Sequence, residues 1–541
     1  MTKTVLTTAF NDQKLGTSGL RKKVSVFQQP HYAENFIQSL FNSIPDIEGK
    51  CLILGGDGRY FNETLLQIVL KMAAANGVAC VKVGRGGILS TPAVSHLIRK
   101  NHAHGGFILS ASHNPGGLEG DCGIKYNIAN GGPAPVSLCE TVFKISQHLS
   151  CYKIFEAPDV DLQKEGTTFL GAMRIDIIDP VADYVALMQE IFDFDCIAKA
   201  VREGLTLRFD AMHAVTGPYA HEIFEKCLGF STGTVVNGVP LANFGGKHPD
   251  PNLVYAKELY NFLMSEQAPD LGAASDGDGD RNLIIGCGQF VTPSDSLAIM
   301  VEHAHLIKAY RQGIVGVARS MPTTRAVDLV AAKKQLNCFE TPTGWKFFGS
   351  LLDARKVTFC GEESFGTGSH HIREKDGLWA VLFWLNLLAV TGKTVAQIVQ
   401  QHWQTYGRFY SLRHDYEEVE AEKAHALIEH LRAHLPRAGT EIAGLFVEKA
   451  DDFTYHDPID HSVNSKQGLR IFFKNGARLV VRLSGTGTVG ATLRLYFEQY
   501  EADPRKHFQD PQKVVQPLQQ AALKLLNVKQ QLGREKPDII T

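Results

Sequence analysis

The sequence predicts an α/β protein of several domains, closed at its C-terminal end by a domain of different construction. Three observations carry this. Apolar runs of strand length (51–58, 78–83, 107–109) alternate with stretches at helical spacing such as 64–75, as in a parallel sheet with crossover helices. The chain has 541 residues, too many for one core, and a length prior of ~150 residues per domain suggests roughly three or four. Near the C-terminus, apolar runs at 469–474 and 477–483 flank Asn475-Gly476, a strong hairpin signal, so the last sheet is at least partly antiparallel.

Composition narrows the function classes. Apolar residues make up 44% and charged residues 21% of the chain, the proportions of a soluble globular protein. A formal net charge of −2 gives no global attraction to nucleic acid or anionic membrane, so neither partner is expected. The longest apolar stretch, 378–390, is interrupted by Asn386. It is shorter than the roughly 18 residues of a membrane span and is expected to be a buried helix. Ten cysteines are scattered with no C-x-x-C pair, which fits reduced thiols in a cytosolic enzyme. The first residues, MTKTVLTTAFNDQK, contain no apolar h-region, so no secretory signal is expected and a cytoplasmic location is.

From the N-terminus, Gly16, Thr17, Ser18 and Gly19 form a loop of small donors followed by Arg21, Lys22 and Lys23. Backbone N–H groups and a guanidinium suit a phosphate; an exposed basic turn is the competing explanation. The stretch GGFILSASHNPGG (105–117) reads as a strand followed by a turn. A parallel strand ending this way delivers its polar residues to the crevice where open α/β sheets bind ligands. Ser110, Ser112 and His113 arrive there, and Ser112 is the candidate nucleophile. An N-cap serine in a tight turn is the alternative. Lys125 follows closely enough to reach the same cleft.

The segment 151–168 is polar and turn-rich, Asp179-Pro180 opens a helix-like stretch, and the first domain boundary falls near residue 190. Residues 205–210 form a strand, 211–217 its turn, and His248 to Asn252 a stiff polar loop whose prolines favour extended backbone. The stretch LGAASDGDGDRNLIIG (271–286) alternates Asp276, Asp278 and Asp280 with Gly277 and Gly279. Carboxylates this close repel unless a cation lies between them. All-oxygen ligation suits a hard cation, Mg²⁺ above all where phosphate is a further ligand. An EF-hand fails, because its sixth position would be Arg281 and its twelfth Cys287. An acidic turn is the other alternative. Arg281 suits a phosphate or an aspartate partner.

A third strand-led unit begins at 314–318. It holds the donor-rich loop Thr341 to Lys346 and a strand at 357–360 running into Gly361-Glu362-Glu363-Ser364-Phe365-Gly366. Carboxylates and a hydroxyl in a glycine-bounded turn suit sugar hydroxyls, which donate and accept; acidic residues at a helix start are the alternative. His370 and His371 are adjacent rather than at helix-face spacing, which disfavours metal ligation. The acidic stretch 410–422 is expected to link to the fourth domain. There Arg482 to Thr488 (RLSGTGT), with Arg494, has the composition of a phosphate cradle, and apolar residues from Val514 to Leu526 predict a final helix packed on the sheet. Gly485, Gly487 and Gly490 satisfy G-x-G-x-x-G, but the acidic residue a dinucleotide site wants ~20 positions on is missing. Gly392-Lys393-Thr394 lacks the first glycine of a P-loop, and GEESFG misplaces the serine of a nucleophile elbow.

SASHNPGG, DGDGDRN, GEESFGTGS, REKDG and RLSGTGT, in this order over nearly the whole chain, resemble the α-D-phosphohexomutase family. The long GEESFGTGS form and the TPTGWKFFG loop resemble its phosphoglucomutase branch. The resemblance implies four domains around a central cleft: three related α/β mixed-sheet domains (1–190, 191–303, 304–406) and a TBP-like α+β domain (407–541). It implies that Ser112 carries a phosphoryl group and, with Asp276, Asp278 and Asp280, ligates Mg²⁺. Glu362 and Ser364 match the sugar-reading pair, and Thr343 and Gly344 are expected to bind substrate as well. Arg482, Ser484, Gly485, Thr486, Gly487 and Arg494 match a distal phosphate site, and Arg281 is expected among the substrate-binding residues. Arg21, His113, Lys125 and Lys375 match residues around the reacting groups, with Lys125 the preferred base and His113 the alternative. The implied substrate is a phosphosugar, glucose 1-phosphate or glucose 6-phosphate, with glucose 1,6-bisphosphate as intermediate and activator, and the implied assembly a monomer or weak dimer. The chain departs from the pattern at Ser110, at Cys122 in place of a more usual aromatic, and at His370 in place of Asp, the last two bearing on substrate preference. The rival expectations are a mutase of other hexose specificity, a glucose 1,6-bisphosphate synthase, and a non-catalytic relative; the last would be damaged in one of these loops, and none is.

Overall fold

A computed structural model gives the structure and describes residues 1–16, 18–484 and 490–541. Among the described residues four large sheets follow one another along the chain, beside two two-stranded ribbons. The first has seven strands. Its centre is the parallel set Gly105–Leu109, Cys51–Gly56, Cys80–Ile88 and Met173–Ile178. Antiparallel strands flank it: Asp121–Ile128 and then Leu20–Lys23 on one side, Gly166–Leu170 on the other. Gly105–Leu109 is buried throughout, as an apolar strand covered on both faces must be. Helix Thr91–Lys100 is N-capped by Ser90, which accepts from the Ala93 N–H.

The second sheet orders Val235–Val236, Leu207–Asp210, Leu271–Ser275, Asn282–Gly286 and Gln289–Val291, parallel across the first three and antiparallel beyond. The third repeats the scheme with Asn337–Thr341, Gly316–Ser320, Phe359–Glu362 and Gly366–Ser369. Three mixed α/β sheets precede a fourth that is antiparallel throughout and has seven strands, with Ala477–Ser484, Ala491–Glu501 and Arg408–Val419 side by side near its centre. Helices Ala421–Ala433 and Pro511–Leu526 pack on it.

Helix Gly377–Thr391 joins the first three units. It is apolar on every side, as a helix at the middle of a core is, and its residues belong to one cluster that runs from helix Thr91–Lys100 to the third sheet. Its polar interruption, Asn386, accepts from the Asp193 N–H at 3.1 Å. Among the described residues no single helix is long and apolar enough to cross a membrane.

Three expectations are corrected. The stretch 410–422 is not a linker: strand Arg408–Val419 is paired on both edges. Tyr410, Leu412 and Tyr416 alternate into the core, while Asp415 between them pairs with Arg413 and Arg494, so period two was hidden by the acidic composition. The helix ending at Leu526 is not final, since Val528–Leu532 and the short strand Ile539–Ile540 follow. The cysteines are not all separate thiols: Cys51 and Cys80 are register partners on adjacent parallel strands and form a disulfide, a proximity that no sequence spacing discloses.

Candidate active site

Strand Gly105–Leu109 ends in a turn that Ser112 enters with φ 53°, left-handed backbone that a non-glycine residue adopts only when its surroundings hold it there. The hold is a set of hydrogen bonds. Ser110 Oγ accepts from the Ser112 N–H at 2.7 Å and donates to Asp57 Oδ2 at 2.6 Å. Arg59 donates to the Ser112 carbonyl at 2.6 Å and is paired with Asp57 at 2.8 Å, both side chains inaccessible to solvent. Ser112 Oγ donates to Asp276 Oδ2 at 2.9 Å, and His113 Nδ1 lies 3.4 Å away.

The acidic loop follows strand Leu271–Ser275. Gly277 packs so closely that a Cβ there would meet the Ser112 carbonyl oxygen at 2.3 Å, so only glycine fits. The three aspartates are buried, with one oxygen from each lying within 4.8 Å of the others. Asp276 Oδ1 accepts from the Asp280 and Arg281 N–H groups. Asp278 Oδ2 accepts from Thr91 Oγ1 at 2.5 Å and from Lys125 Nζ. Lys375 Nζ lies 3.3 Å from Asp280. Asp278 Oδ1 and Asp280 Oδ1 are buried without a hydrogen-bond partner among the described residues. Burial first, then the neighbouring carboxylates of Asp280 and Asp278, push the Asp276 carboxyl well above the usual range. At Asp278 burial acts the same way, but Lys125 and the Thr91 hydroxyl outweigh it and hold the carboxyl below its usual range. Bare oxygens, converged like charges and hard donors together fit a divalent cation such as Mg²⁺.

These loops open on a cavity of 190 Å³. Arg21, Ser112, His113, Lys125, Asp280 and Arg281 line it. The third unit adds Thr343, Gly344, Glu362, Ser364 and Lys375. Glu362 Oε1 accepts from the Gly344 N–H at 2.8 Å, and burial raises its carboxyl. Arg281 also donates to Asp250 at 2.9 Å. His113 is kept neutral first by desolvation and then by the cations Arg281, Arg21, Lys375 and Arg494. The fourth unit contributes Arg482, Ser484 and Arg494 to the same cavity. The two arginines face each other across neighbouring strands, and a pair of guanidiniums so placed binds an anion. Gly485, Thr486 and Gly487, like Thr17, lie outside the described residues. The cavity thus gathers a serine hydroxyl beside an acidic cluster, the Glu362 and Ser364 side chains of the third unit and an arginine pair of the fourth.

Sequence reasoning missed five residues. Asp57 and Arg59 follow a strand that neighbours Gly105–Leu109, so the strand-end argument applied to Ser112 would have found them. Thr91 and Asp415 had no local signal, and Glu374 stood within REKDG with no role assigned to it. Asp415 is buried beside Arg494, at 3.4 Å. Two departures from the family pattern lie away from the cavity: Cys122 is packed in the first core, and His370 is exposed at the end of strand Gly366–Ser369.

Comparison with known proteins agrees with this geometry. Models described as phosphoglucomutase/phosphomannomutase, alpha/beta/alpha domains I, II and III, match residues 12–152, 182–287 and 292–406. A model described as phosphoglucomutase-1, C-terminal domain, matches 408–538. The chain is 56% identical to a phosphoglucomutase of Rhizobium radiobacter and 49% identical to one of Schizosaccharomyces pombe, covering all of both chains in each case. It resembles the crystal structure of the exocytosis-sensitive phosphoprotein pp63/parafusin, a phosphoglucomutase from Paramecium, with a TM-score of 0.90 at 43% identity, over 100% of this chain and 99% of that one.

Proposed function

This chain belongs to the phosphoglucomutase/phosphomannomutase family, and from that premise we propose how its residues interconvert glucose 1-phosphate and glucose 6-phosphate. The observation that carries the reading is the meeting of Ser112, the acidic triad and the arginine pair at one cavity.

Ser112 is the phosphoryl carrier. Glucose 1-phosphate enters with its phosphate against Arg482, Ser484 and Arg494, which leaves O6 toward the serine. O6 attacks the phosphorus of phospho-Ser112, the bond to the serine oxygen breaks, and glucose 1,6-bisphosphate forms. Two groups are candidates for the O6 proton. Lys125 is engaged by Asp278. His113, neutral in its cationic surroundings, has an acceptor to offer, and its Nδ1, 3.4 Å from Ser112 Oγ, supports it over Lys125, the base expected from the sequence. The bisphosphate turns over in the cavity, its 1-phosphate returns to Ser112, and glucose 6-phosphate leaves. Glu362, Ser364, Thr343 and Gly344 read sugar hydroxyls in both orientations, because the two orientations place the ring against the same wall. Arg21, Lys375 and Arg281 offset the charge that develops on the transferred oxygens.

Asp276, Asp278 and Asp280 would hold Mg²⁺ together with the phosphoserine. Bound there, the cation supplies charge neutralisation on the phosphoryl oxygens. The enzyme is read as cytoplasmic, and as a monomer or weak dimer, which fractionation and sedimentation test. Turnover of glucose, mannose and N-acetylglucosamine phosphates measured side by side tests the hexose preference.

Ser112→Ala is expected to lower mutase turnover by more than about 10³-fold. Intact mass should rise by one phosphoryl group when the parent is incubated with glucose 1,6-bisphosphate, and should not rise for the variant. Turnover near the parent's in Ser112→Ala would sink the assignment.

A further inference from the structure

We propose that Glu374 is a positioning residue of the transfer centre: by accepting a hydrogen bond from Asn127 it ties the third unit to the strand that carries Lys125, and so fixes where Lys125 and Lys375 stand about the acidic loop. The inference rests on the reading above and adds to it a residue that carries no role there.

Glu374 is 4% exposed and lines the cavity. Its Oε1 accepts from Asn127 Nδ2 at 3.0 Å. Asn127 lies two positions beyond Lys125 on strand Asp121–Ile128, hence on the same face of the sheet. The Asn127 amide also donates to the Gly131 carbonyl at 2.9 Å, so its direction is set independently of Glu374.

The neighbours of Glu374 are committed as well. The Arg373 N–H donates to Ser95 Oγ at 3.1 Å, on helix Thr91–Lys100. Lys375 Nζ stands 3.3 Å from Asp280 in the second unit. Three consecutive residues therefore grip a helix of the first unit, the Lys125 strand and the acidic loop. Glu374 is the middle one, and its loss would release two ammonium groups that both end on that loop.

Its ionisation agrees with this role. Burial raises the Glu374 carboxyl to about 8, against the pull of Lys125. At neutral pH the group is then mainly the neutral acid, which accepts from Asn127 without adding negative charge beside a phosphoryl group. Glutamine reproduces that state in shape and in its acceptor oxygen.

The test uses the full chain, charged with glucose 1,6-bisphosphate, as parent, Glu374→Gln, Glu374→Ala, Asn127→Ala and the double alanine variant. Glu374→Ala should lower kcat by about 10- to 100-fold, the scale of a small misplacement of reacting groups. Its KM for glucose 1-phosphate should stay within about 3-fold, and Glu374→Gln should recover kcat to within about 3-fold of the parent. The double variant should be no slower than the slower single one, because both remove the same bond. Melting temperatures recorded alongside separate a folding defect from a displaced centre. The proposal is overturned if Glu374→Gln is as slow as Glu374→Ala, if Glu374→Ala keeps parental kcat, or if the two alanine effects multiply. A parent that fails to turn over glucose 1-phosphate would instead refute the functional reading, whatever residue 374 does.

Discussion

Ser112 occupies its left-handed turn because four partners oblige it to, and none of them is a sequence neighbour except Ser110. Asp57 and Arg59 come from an adjacent strand, and Asp276 from another sheet. Other single residues set the protein's response to pH. His402, on helix Val395–Tyr406, is buried, and its Nδ1 has no hydrogen-bond partner among the described residues. Burial first, and His303 second, push it down to about 3. This lies below the value of about 6.5 for an unfolded histidine. As pH falls the unfolded chain therefore takes up the proton first, and stability present above about 6.5 drains away between there and about 3. Between pH 7.5 and pH 5 the parent should lose about 2 kcal/mol more than His402→Gln, which cannot charge. Urea midpoints at the two pH values measure this, and equal losses would show that His402 is not held neutral.

At the scale of elements, the fourth sheet places a row of charges under the cavity. Asp415, Arg494 and Arg482 are register partners on three adjacent strands. Two arginines directly opposite repel, and Asp415 steadies the nearer one. Asp415→Asn is expected to raise KM for glucose 1-phosphate by about 10-fold, the cost of roughly one charge-assisted contact, with a smaller change in kcat; an unchanged KM would separate the carboxylate from phosphate binding. The strand that bears Asp415 was the one misread from composition. What the sequence made legible were loops at strand ends, where glycine, serine and acidic residues cluster because backbone freedom and polar chemistry are needed within a few positions. Ser112, the three aspartates and Glu362 were readable for that reason. Asp415, Thr91 and Glu374 act through partners far along the chain, and their own neighbours in sequence give no periodic or compositional mark of it. The Asn475-Gly476 hairpin was readable because its turn is local; the Cys51–Cys80 pairing was not, because strand register is decided by the whole sheet.

Across the whole molecule, the first three units share a core around helix Gly377–Thr391, whereas the fourth is attached through a smaller apolar cluster, in which Met321 and Phe347 meet Phe453, Tyr455, Val480 and Tyr496, and through buried charge. Arg478, 1% exposed, donates to the Met321 and Thr323 carbonyls at 2.9 and 2.8 Å and to Glu498 at 2.6 Å, and Arg325 holds the other oxygen of Glu498. Arg478→Met leaves buried acceptors short of a donor and should cost about 3–5 kcal/mol. The loss should fall on the attachment, so calorimetry should resolve a fourth-unit transition below that of the shared core; a single transition at the parental temperature would contradict this.

The contact of Gly277 with the Ser112 carbonyl has a bearing on how such enzymes can be recombined. At a seam between two sheets the main chain of the acidic loop lies so close to that of the serine turn that a side chain at position 277 has no room, and little can shift to absorb a mismatch. A hybrid that joined one homologue's N-terminal segment to another's metal loop would inherit two surfaces shaped for other mates. Crossover points placed on either side of that seam should give inactive offspring even where each parent is fully competent, and productive exchange should require both stretches to travel together.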